Sequence, residues 1–569
     1  MKGAELILNR VWLKNYPKGV KPDVEIPNKA VFELFDEAAE RYSNRPAAIF
    51  LEEKITYGKL REYVDRMAAA LSGLGVGKGD RVAILLPNSI QFIIAYYGSL
   101  KTGATVTPMN PLYTPREVEY QARETQAKVI FTLDILYKNV HPILNNTQIR
   151  HVIISNIADF LPGLKRSLGR LLKKIPTAEV PRDERIKSFM ELLKASRPEA
   201  PKTELDPEKD LVSLQFTGGT TGTPKGVMLT HRNVVANITQ IHEMLSTYIK
   251  DGEEVFVALL PFYHIYGQTA LLGVGLTHGN TLLIFPRLEL EPFMRAIARH
   301  RATIFPGVPT LFNAISKHPL IKELDLSALR LVISGADTLP VEVAKEFERV
   351  TGKKVCEGYG LTETSPVTHV NPPDAIRYGS FGVPIPNTYA AVIDPESMEF
   401  LPAGEVGELV VAGPQVMKGY MREEDNSNVF LEAHGMRWFR TGDMVRMDED
   451  GYFHFVDRRK DIIKFKGFSV FPAEIEDVLY SNPAVKEAAV VGVPDPRTGE
   501  QIIAVVVLKD EFKDKTNEEE ILKYCRERLA EYKQPGRVIF VDEIPKTAVG
   551  KILRRAVRDR VREMVAQPS

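Results

Sequence analysis

Residues 214–231 read LQFTGGTTGTPKGVMLTH, in which an apolar run gives way to a loop of glycine and threonine that ends at Lys225. Glycine lets backbone N–H groups come close to phosphate, threonine hydroxyls add donors, and lysine supplies positive charge. The Walker pattern of γ-phosphate transfer does not match, because Pro224 precedes the lysine and Gly226 follows it. The stretch therefore predicts a polyphosphate-binding loop that serves another chemistry, with a flexible turn as the simpler alternative.

The composition is that of a large globular protein without a strong net charge. The chain has 569 residues, of which 44% are hydrophobic, enough for several packed domains. Its 74 Lys and Arg residues equal its 74 Asp and Glu residues, so the net charge favours no nucleic-acid partner. The cysteines are Cys356 and Cys525, which fits a reducing compartment and excludes a disulfide framework and a cysteine-based zinc site.

The sequence predicts neither a signal peptide nor a membrane span. Residues 1–9 lack the apolar core and cleavage site of a signal peptide, so a cytoplasmic protein is expected. Residues 255–285 contain no Asp, Glu, Lys or Arg and are long enough to cross a bilayer. Because Pro261, His264 and Gln268 interrupt this run, it is expected to form a buried strand and helix instead.

Alternating strand and helix patterns predict an α/β fold. Apolar strand-like runs alternate with helical patterns before and after the phosphate loop, which favours two stacked, doubly wound αβ subdomains. In the first series, Thr114, Pro115 and Glu117 mark the start of a helix. The strands predicted in that series are 47–50, 55–57, 81–86, 129–133 and 151–155.

The pattern of predicted secondary structure changes towards the C-terminus. Short β runs broken by glycine and proline at residues 379–455 predict a small β-barrel-like subdomain. A separate α+β piece follows them. We therefore expect a large N-terminal domain over residues 1–456 and a smaller, mobile C-terminal domain over residues 457–569.

Further motifs follow the phosphate loop in order. They are LPFYHIYG at 260–267, SGA at 334–336, EGYGLTET at 357–364, RTGD at 440–443, DRRKD at 457–461, KFKGFSVFPAEIE at 464–476 and PKTAVGKILRR at 545–555. With the loop, they resemble the adenylate-forming superfamily of acyl-CoA synthetases, luciferases and peptide-synthetase adenylation domains. The resemblance covers nearly the whole chain and is closest to fatty-acid:CoA ligases, including long-chain acyl-CoA synthetases.

The resemblance implies roles for particular residues in the nucleotide site. Lys551 would be the lysine of the adenylation step, Lys225 would support the phosphates, and His264 would border the carboxylate substrate. Glu363 would hold Mg²⁺ together with the hydroxyl of Thr217, as hard oxygen ligands suit this ion. The residues expected to contact ATP or AMP are Thr217, Gly218, Gly219, Thr220, Thr221, Gly222, Lys225, Gly335, Ala336, Glu357, Gly358, Tyr359, Thr362, Asp443, Arg458, Lys460, Lys464 and Lys551.

The resemblance also implies an acyl pocket, a coenzyme A tunnel and a hinge. The residues expected at the acyl group are Phe262, His264, Gly267 and Gly335, with Gly467 beside the pantetheine and Asp457 as the hinge. Small residues around the second motif, namely Gly267, Ala270, Gly273 and Gly275, would leave room for a long apolar tunnel. Glycine equally serves close packing of backbones.

The implied reaction has two half-reactions. A carboxylate attacks the α-phosphorus of ATP to form an acyl-adenylate and pyrophosphate, and coenzyme A then takes the acyl group after the C-terminal domain turns. A medium-chain or aryl acid, as in coumarate ligases, is the alternative substrate, and a free-standing carrier protein could replace coenzyme A. A non-catalytic nucleotide-binding regulator on the same fold is the alternative from another class, but it should lack Lys551.

Residues 157–175 form a basic amphipathic pattern. Leucines recur at helical spacing, while most lysines and arginines fall on the other side. One interpretation is a surface helix packed on its own domain. The other is a peripheral contact with the inner membrane surface. A homodimer is also left open.

Overall fold

The computed structural model describes residues 10–172, 175–217, 224–466, 468–495, 497–513, 515–546 and 552–566. A π-helical segment, Gln268–Gly275, continues from the short helix Ile265–Gly267. The other α-helices are Val31–Arg41, Tyr57–Gly73, Ile90–Lys101, Pro115–Thr125, Tyr137–Val140, Gly163–Leu171, Phe189–Ala195, His231–Met244, Leu290–Arg299, Pro309–Lys317, Val341–Thr351, Pro472–Tyr480, Glu518–Arg526 and Arg554–Ala566.

The phosphate loop belongs to an eight-stranded, largely parallel sheet. Its strands in spatial order are Gly419–Tyr420, Lys225–Thr230, Leu211–Thr217, Thr105–Pro108, Arg81–Leu85, Val129–Leu133, His151–Ser155 and Ile186–Ser188. The strands on either side of the loop pair antiparallel, with Thr217 opposite Lys225. Both residues therefore lie at the same end of the sheet.

The second sheet has nine strands. In order they are Val383–Pro384, Val367–Val370, Val355–Gly360, Leu331–Ser334, Ile304–Gly307, Val255–Ala258, Thr281–Ile284, Pro46–Phe50 and Glu53–Thr56. A continuous buried core joins residues of both sheets and the helices between them. The predicted α/β class with stacked subdomains is confirmed.

Two smaller sheets complete the fold. The region predicted as barrel-like is a five-stranded sheet of Tyr389–Ile393, Val406–Ala412, Met436–Met447, Phe430–Ala433 and Phe453–Arg458. The last sheet contains Phe468–Val470, Ile463–Phe465, Gly499–Leu508, Val485–Asp495 and Arg537–Phe540, with its own core. This last sheet and its helices, which follow residue 458, are called the C-terminal unit below. Asp457 lies in the preceding strand, Phe453–Arg458.

The structure confirms some local expectations and corrects others. The helix Pro115–Thr125 starts as predicted, because the Glu117 carboxylate accepts the Thr114 N–H at 2.8 Å. The strand Pro46–Phe50 does not join the first sheet but pairs with Thr281–Ile284 in the second. Residues 255–285 fold as strand, helix and strand. Across the described residues, no helix has the length and apolarity that a membrane span requires.

Candidate active site

A cavity of 2310 Å³ opens where the two large sheets, the five-stranded sheet and the C-terminal unit meet. Thr217 reaches it from one sheet, and Gly335 and Gly358 reach it from the other. These residues end or follow strands, and ligands of α/β proteins bind at such strand ends. The predicted nucleotide and acyl residues that line the cavity are Thr217, Lys225, His264, Gly335, Ala336, Glu357, Gly358, Tyr359, Thr362, Glu363, Asp443, Arg458 and Lys460.

Lys225 is held by an acidic partner that the sequence motifs did not reveal. Its Nζ lies 3.0 Å from Asp425 Oδ1 and 5.0 Å from the centroid of the Tyr420 ring. Asp425 comes from a turn next to Gly419–Tyr420, which pairs with the strand of Lys225. The lysine is thus positioned at the mouth of the loop. The glycines and threonines predicted at 218–222 lie outside the described residues.

Glu363 carries a half-buried carboxylate close to the strand Lys225–Thr230, which follows the phosphate loop. The Tyr420 hydroxyl donates to Glu363 Oε1 at 2.7 Å. Burial raises the pKa of Glu363 above its ordinary value. A divalent cation would favour the charged carboxylate again, so Glu363 fits the predicted magnesium site, and the Thr217 hydroxyl lines the same cavity.

Asp443 lies between the side chains of Tyr359 and Arg458 in the part of the cavity where the nucleotide is expected. It accepts a hydrogen bond of 2.6 Å from the Tyr359 hydroxyl, and Arg458 Nε lies 3.5 Å from its other oxygen. Pairing of Met436–Met447 with Phe453–Arg458 places Asp443 opposite Arg458. The carboxylate accepts hydrogen bonds at the place where a ribose is expected.

The part of the cavity where adenine is expected is lined by the Tyr359 ring and by the glycines Gly335 and Gly358. Tyr359 stacks on Phe381 with 4.4 Å between ring centroids, which fixes the plane of the tyrosine. Glu357 accepts the Leu339 N–H at 3.0 Å, and burial raises the pKa of Glu357 to about 8. A Cβ on Gly335 would lie 2.9 Å from the Tyr266 ring, so only glycine lets these segments meet closely.

Part of the cavity lining, called the apolar arm below, is hydrophobic and includes residues of the segment that follows His264. The Nδ1 atom of His264 accepts the Tyr266 N–H at 3.2 Å, which orients the ring. The hydrophobic residues lining this arm are Ile241, Leu245, Ile249, Phe256, Tyr263, Tyr266, Ala270, Val274 and Ile304. The cavity lining therefore has a polar part, where the nucleotide is expected, and an apolar part.

Two predicted acyl residues have other roles. Phe262 is fully buried outside the cavity lining, where it packs edge-on against Phe92 at 5.6 Å. Its backbone N–H donates to Asn88 Oδ1 at 2.7 Å, and this anchor turns the ring into the core. A Cβ on Gly267 would lie 2.2 Å from the Pro261 carbonyl oxygen. Close backbone packing therefore requires this glycine. Of the four small residues predicted around the tunnel, Ala270 lines the cavity, and Val274 lines it as well.

The C-terminal unit contributes one wall of the cavity. Asp457 accepts the Ala473 N–H at 2.8 Å and lies 3.4 Å from the Arg554 guanidinium. Burial raises the pKa of Asp457 to about 6, although Arg554 opposes this effect. Arg554 also pairs with the buried Glu476 and lies 3.8 Å from Asp461. This network ties the last helix to the junction between the two units.

The remaining predicted residues of this unit differ in position. Lys464 is exposed and does not line the cavity, because alternation along its strand places it opposite the buried Ile463. Its backbone N–H donates to Glu500 Oε2 at 2.7 Å. Gly467 and Lys551 lie outside the described residues. Lys546 and Ile552, on either side of residues 547–551, both line the cavity.

Comparison with known proteins agrees with this architecture. The chain matches the family description "AMP-binding enzyme" over residues 35–421 and "AMP-binding enzyme C-terminal domain" over residues 474–551. The fold and the cavity are thus those of an AMP-binding enzyme. The chain belongs to this family, and the resemblance inferred from its motifs is confirmed.

The similarity to individual relatives extends over almost the whole chain. The long-chain-fatty-acid–CoA ligase of Bacillus subtilis is 40% identical over 557 residues, covering 97% of this chain and 98% of that protein. The 4-coumarate–CoA ligase 1 of Petroselinum crispum is 34% identical, covering 90% and 89%. ATP-bound MatB from Rhodopseudomonas palustris superposes with a TM-score of 0.81 at 28% identity, covering 94% of this chain and all of that one.

Proposed function

We propose that this protein is an AMP-forming fatty-acid:CoA ligase with a preference for long chains. The observation that supports it is one cavity with a nucleotide end at Asp443 and Lys225 and an apolar arm beyond His264. A fatty acid has the matching shape, since its carboxylate would face the α-phosphate while its chain fills the arm. The names of the most similar relatives agree with this substrate class.

In the first half-reaction, a carboxylate oxygen attacks the α-phosphorus of ATP, and the bond to pyrophosphate breaks. Lys225 stabilises charge on the phosphates, and Lys551 is proposed to do so from the segment between Lys546 and Ile552. Glu363 and Thr217 would hold Mg²⁺, which neutralises charge on the phosphate oxygens when bound. Tyr359 and Asp443 hold the base and the ribose. The product is an acyl-adenylate.

In the second half-reaction, the coenzyme A sulfur attacks the acyl carbonyl carbon, the bond to AMP breaks, and AMP leaves. We propose that the domain of residues 457–569 turns about Asp457 between the two steps, withdrawing Lys551 and bringing the segment of Gly467 to the cavity. Such a turn is a conformational step that exchanges catalytic surfaces. This rotation would either break the contacts of Asp457 with Ala473 and Arg554 or move Asp457 together with these two residues.

The proposal is tested by measuring pyrophosphate release with acids from acetate to palmitate, with and without coenzyme A. We expect the highest kcat/KM with long-chain acids and sustained turnover only when coenzyme A is present. A preference for coumarate would favour the aryl-acid alternative. Turnover with an acyl carrier protein but not with coenzyme A would identify a different acceptor. Absence of release with every acid would overturn the proposed activity.

We propose a peripheral membrane contact through the helix Gly163–Leu171. The leucines of this helix and the following Leu172 are more than half exposed, which speaks against the packed-helix interpretation. The exposed fractions of Leu164, Leu168, Leu171 and Leu172 are 84, 52, 79 and 55%. Exposed leucine beside lysine and arginine is typical of helices that lie on anionic bilayers. Each basic residue near such a surface contributes about 1 kcal/mol.

Sedimentation with anionic vesicles tests this contact. The variant carries glutamine at Lys165, Arg166, Arg170, Lys173 and Lys174. The matched control removes five exposed charges elsewhere, at Lys209, Arg287, Arg295, Lys345 and Arg349. We expect wild type and control to pellet at low salt and the helix variant to stay in solution. Equal behaviour of all three would refute the contact.

The homodimer remains a prediction, which light scattering in solution tests.

A further inference from the structure

Three side chains able to ligate a metal lie together outside the active-site cavity. His242 is near the end of the helix His231–Met244, Asp251 is in the following loop, and His278 follows the π-helical segment. One ligand atom from each lies within 4.8 Å of the other two, and in the described part of the chain no other such group of His, Cys, Asp and Glu occurs. These three residues are called the His–Asp–His cluster below.

The geometry of the His–Asp–His cluster orients its nitrogen atoms. His242 Nε2 lies 2.8 Å from Asp251 Oδ1, and the two imidazole rings stack with 3.7 Å between centroids. His278 Nδ1 lies 3.1 Å from the Val274 carbonyl oxygen. Donation of the Nδ1–H to that carbonyl leaves the Nε2 lone pair of His278 for a ligand. Metal-binding histidines usually donate their second ring N–H in this way.

The backbone around the cluster is tightly constrained. The Gly252 N–H donates to the His278 carbonyl at 2.8 Å, which ties the loop of Asp251 to His278. Gly252 and Gly279 have φ angles of +74° and +75°. A Cβ would lie 2.7 Å from the Tyr42 ring at Gly252 and 2.2 Å from it at Gly279. Each glycine neighbours a cluster residue. The ligand-bearing segments therefore meet in a defined arrangement.

An ion pair between His242 and Asp251 does not by itself explain why the imidazole of His278 is stacked beside them. One carboxylate offers charge compensation for one imidazolium, and protonation of both stacked rings would place like charges in contact. Two imidazoles and a carboxylate are instead a common ligand set for zinc. Asp251 has a side chain 38% exposed, so an ion can reach the cluster from solvent.

We propose that His242, Asp251 and His278 bind a divalent transition-metal ion of the zinc class, with water completing the coordination. Nitrogen ligands favour such ions over Mg²⁺, which prefers oxygen. The site is separate from the Mg²⁺ site expected at Glu363.

The location suggests what the ion would stabilise. Ile241 precedes His242 and lines the apolar arm, and so does Val274, whose carbonyl orients His278. A bound ion would connect these two segments from outside the arm and stiffen its wall. Any effect of this stiffening on acyl-chain preference rests on the proposed fatty-acid activity. The proposed metal binding does not rest on that activity.

The test uses the full-length protein after chelator treatment, titrated with Co²⁺ in excess Mg²⁺. We expect a visible d–d absorption band that saturates at one Co²⁺ per chain and is displaced by Zn²⁺. His242→Gln, His278→Gln and Asp251→Asn should each weaken Co²⁺ binding at least about tenfold, as even changes around ligands do. Zn²⁺ should also raise the melting temperature of wild type more than that of the variants.

His300→Gln is the matched control, because His300 also pairs with a carboxylate, Glu52 at 3.2 Å. It should keep wild-type Co²⁺ affinity. Circular dichroism without metal shows whether each variant is folded, and Asp251→Asn keeps the side-chain shape. The proposal is overturned if wild type binds no Co²⁺, or if folded Asp251→Asn and the histidine variants bind it as tightly as wild type. Loss of pyrophosphate release with intact Co²⁺ binding would contradict only the proposed enzyme activity.

Discussion

Asp443 illustrates how a single side chain links the five-stranded sheet to the proposed nucleotide site. One oxygen of its carboxylate accepts a hydrogen bond from the Tyr359 hydroxyl, and the other oxygen faces the Arg458 guanidinium. Strand pairing within the five-stranded sheet places Arg458 opposite Asp443. Tyr359 comes from the nine-stranded sheet, so the contact joins two sheets. A ribose hydroxyl would join an existing polar arrangement.

Replacing Asp443 with Ala should raise the KM for ATP about ten- to a hundredfold, since a hydrogen bond to a charged acceptor contributes about 1.5–3 kcal/mol. Initial rates at varied ATP concentration measure this. Asp450→Ala, which removes a carboxylate outside the cavity, should leave the KM for ATP unchanged. An unaltered KM in Asp443→Ala would refute the assigned ribose contact.

Glu357 should make stability depend on pH. Burial raises the pKa of Glu357 from 4.5 to about 8, so the folded state holds this proton more tightly than the unfolded state. Its stabilising contribution is complete below pH 4.5 and is lost as pH rises through about 8. Glu357→Gln should therefore become more stable relative to wild type across this window, as measured by urea unfolding.

Glu342→Gln is the control for that measurement, because the Glu342 side chain is 85% exposed. It should change the free energy of unfolding little at any pH in the window. If the stability difference between Glu357→Gln and wild type were constant with pH, the carboxyl group would not hold its proton in the folded protein.

At the scale of the element, the helix Arg554–Ala566 depends on its first residue. Arg554 is 17% exposed and contacts Asp457, Asp461 and Glu476, whose side chains are exposed by 0, 7 and 10%. Arginine suits this place because its planar guanidinium can reach several carboxylates at once. The helix is thereby fixed to the junction that would turn between the half-reactions.

Arg554→Ala should destabilise the C-terminal unit by about 3–5 kcal/mol, because it leaves buried carboxylates without their partner. Faster hydrogen–deuterium exchange in Val485–Asp495 and Gly499–Leu508 would report this. Arg555→Ala is the matched control: that side chain is 53% exposed and lies 3.8 Å from Asp559 in the next turn. Its loss should cost only about 0.3–0.5 kcal/mol. Equal exchange in both variants would contradict the role of the Arg554 network.

At the scale of the whole molecule, the cavity is shared between separately packed units. Residues of both large sheets, the five-stranded sheet and the C-terminal unit line it. A relative movement of the C-terminal unit would therefore alter one wall and leave the others in place. This arrangement is suited to two reactions on one bound intermediate.

Lys551→Ala should abolish adenylation but leave thioester formation from supplied acyl-adenylate largely intact, because the proposed role of the lysine is confined to the first conformer. The two half-reactions are followed separately, by pyrophosphate release and by acyl-CoA formation. The second assay serves as the internal control for folding. Comparable losses in both assays would rule out the two-conformer mechanism.

The sequence alone determined features that depend on neighbours along the chain. The start of the helix at Pro115 followed from Thr114 and Glu117, because a capping interaction spans only three residues. Most predicted strands and the α/β class followed from local hydrophobic periodicity. Many residues of the cavity could also be named, since each motif carries its chemistry in a short stretch.

The tertiary structure decided what depends on contacts between distant segments. It placed Pro46–Phe50 in the second sheet, paired Lys225 with Asp425, and turned Phe262 into the core beside Phe92. It also left the leucines of Gly163–Leu171 exposed, although their spacing equally suited a packed helix. Periodicity shows that a helix or strand has an apolar face, but the surface that covers this face is set by packing across the whole chain.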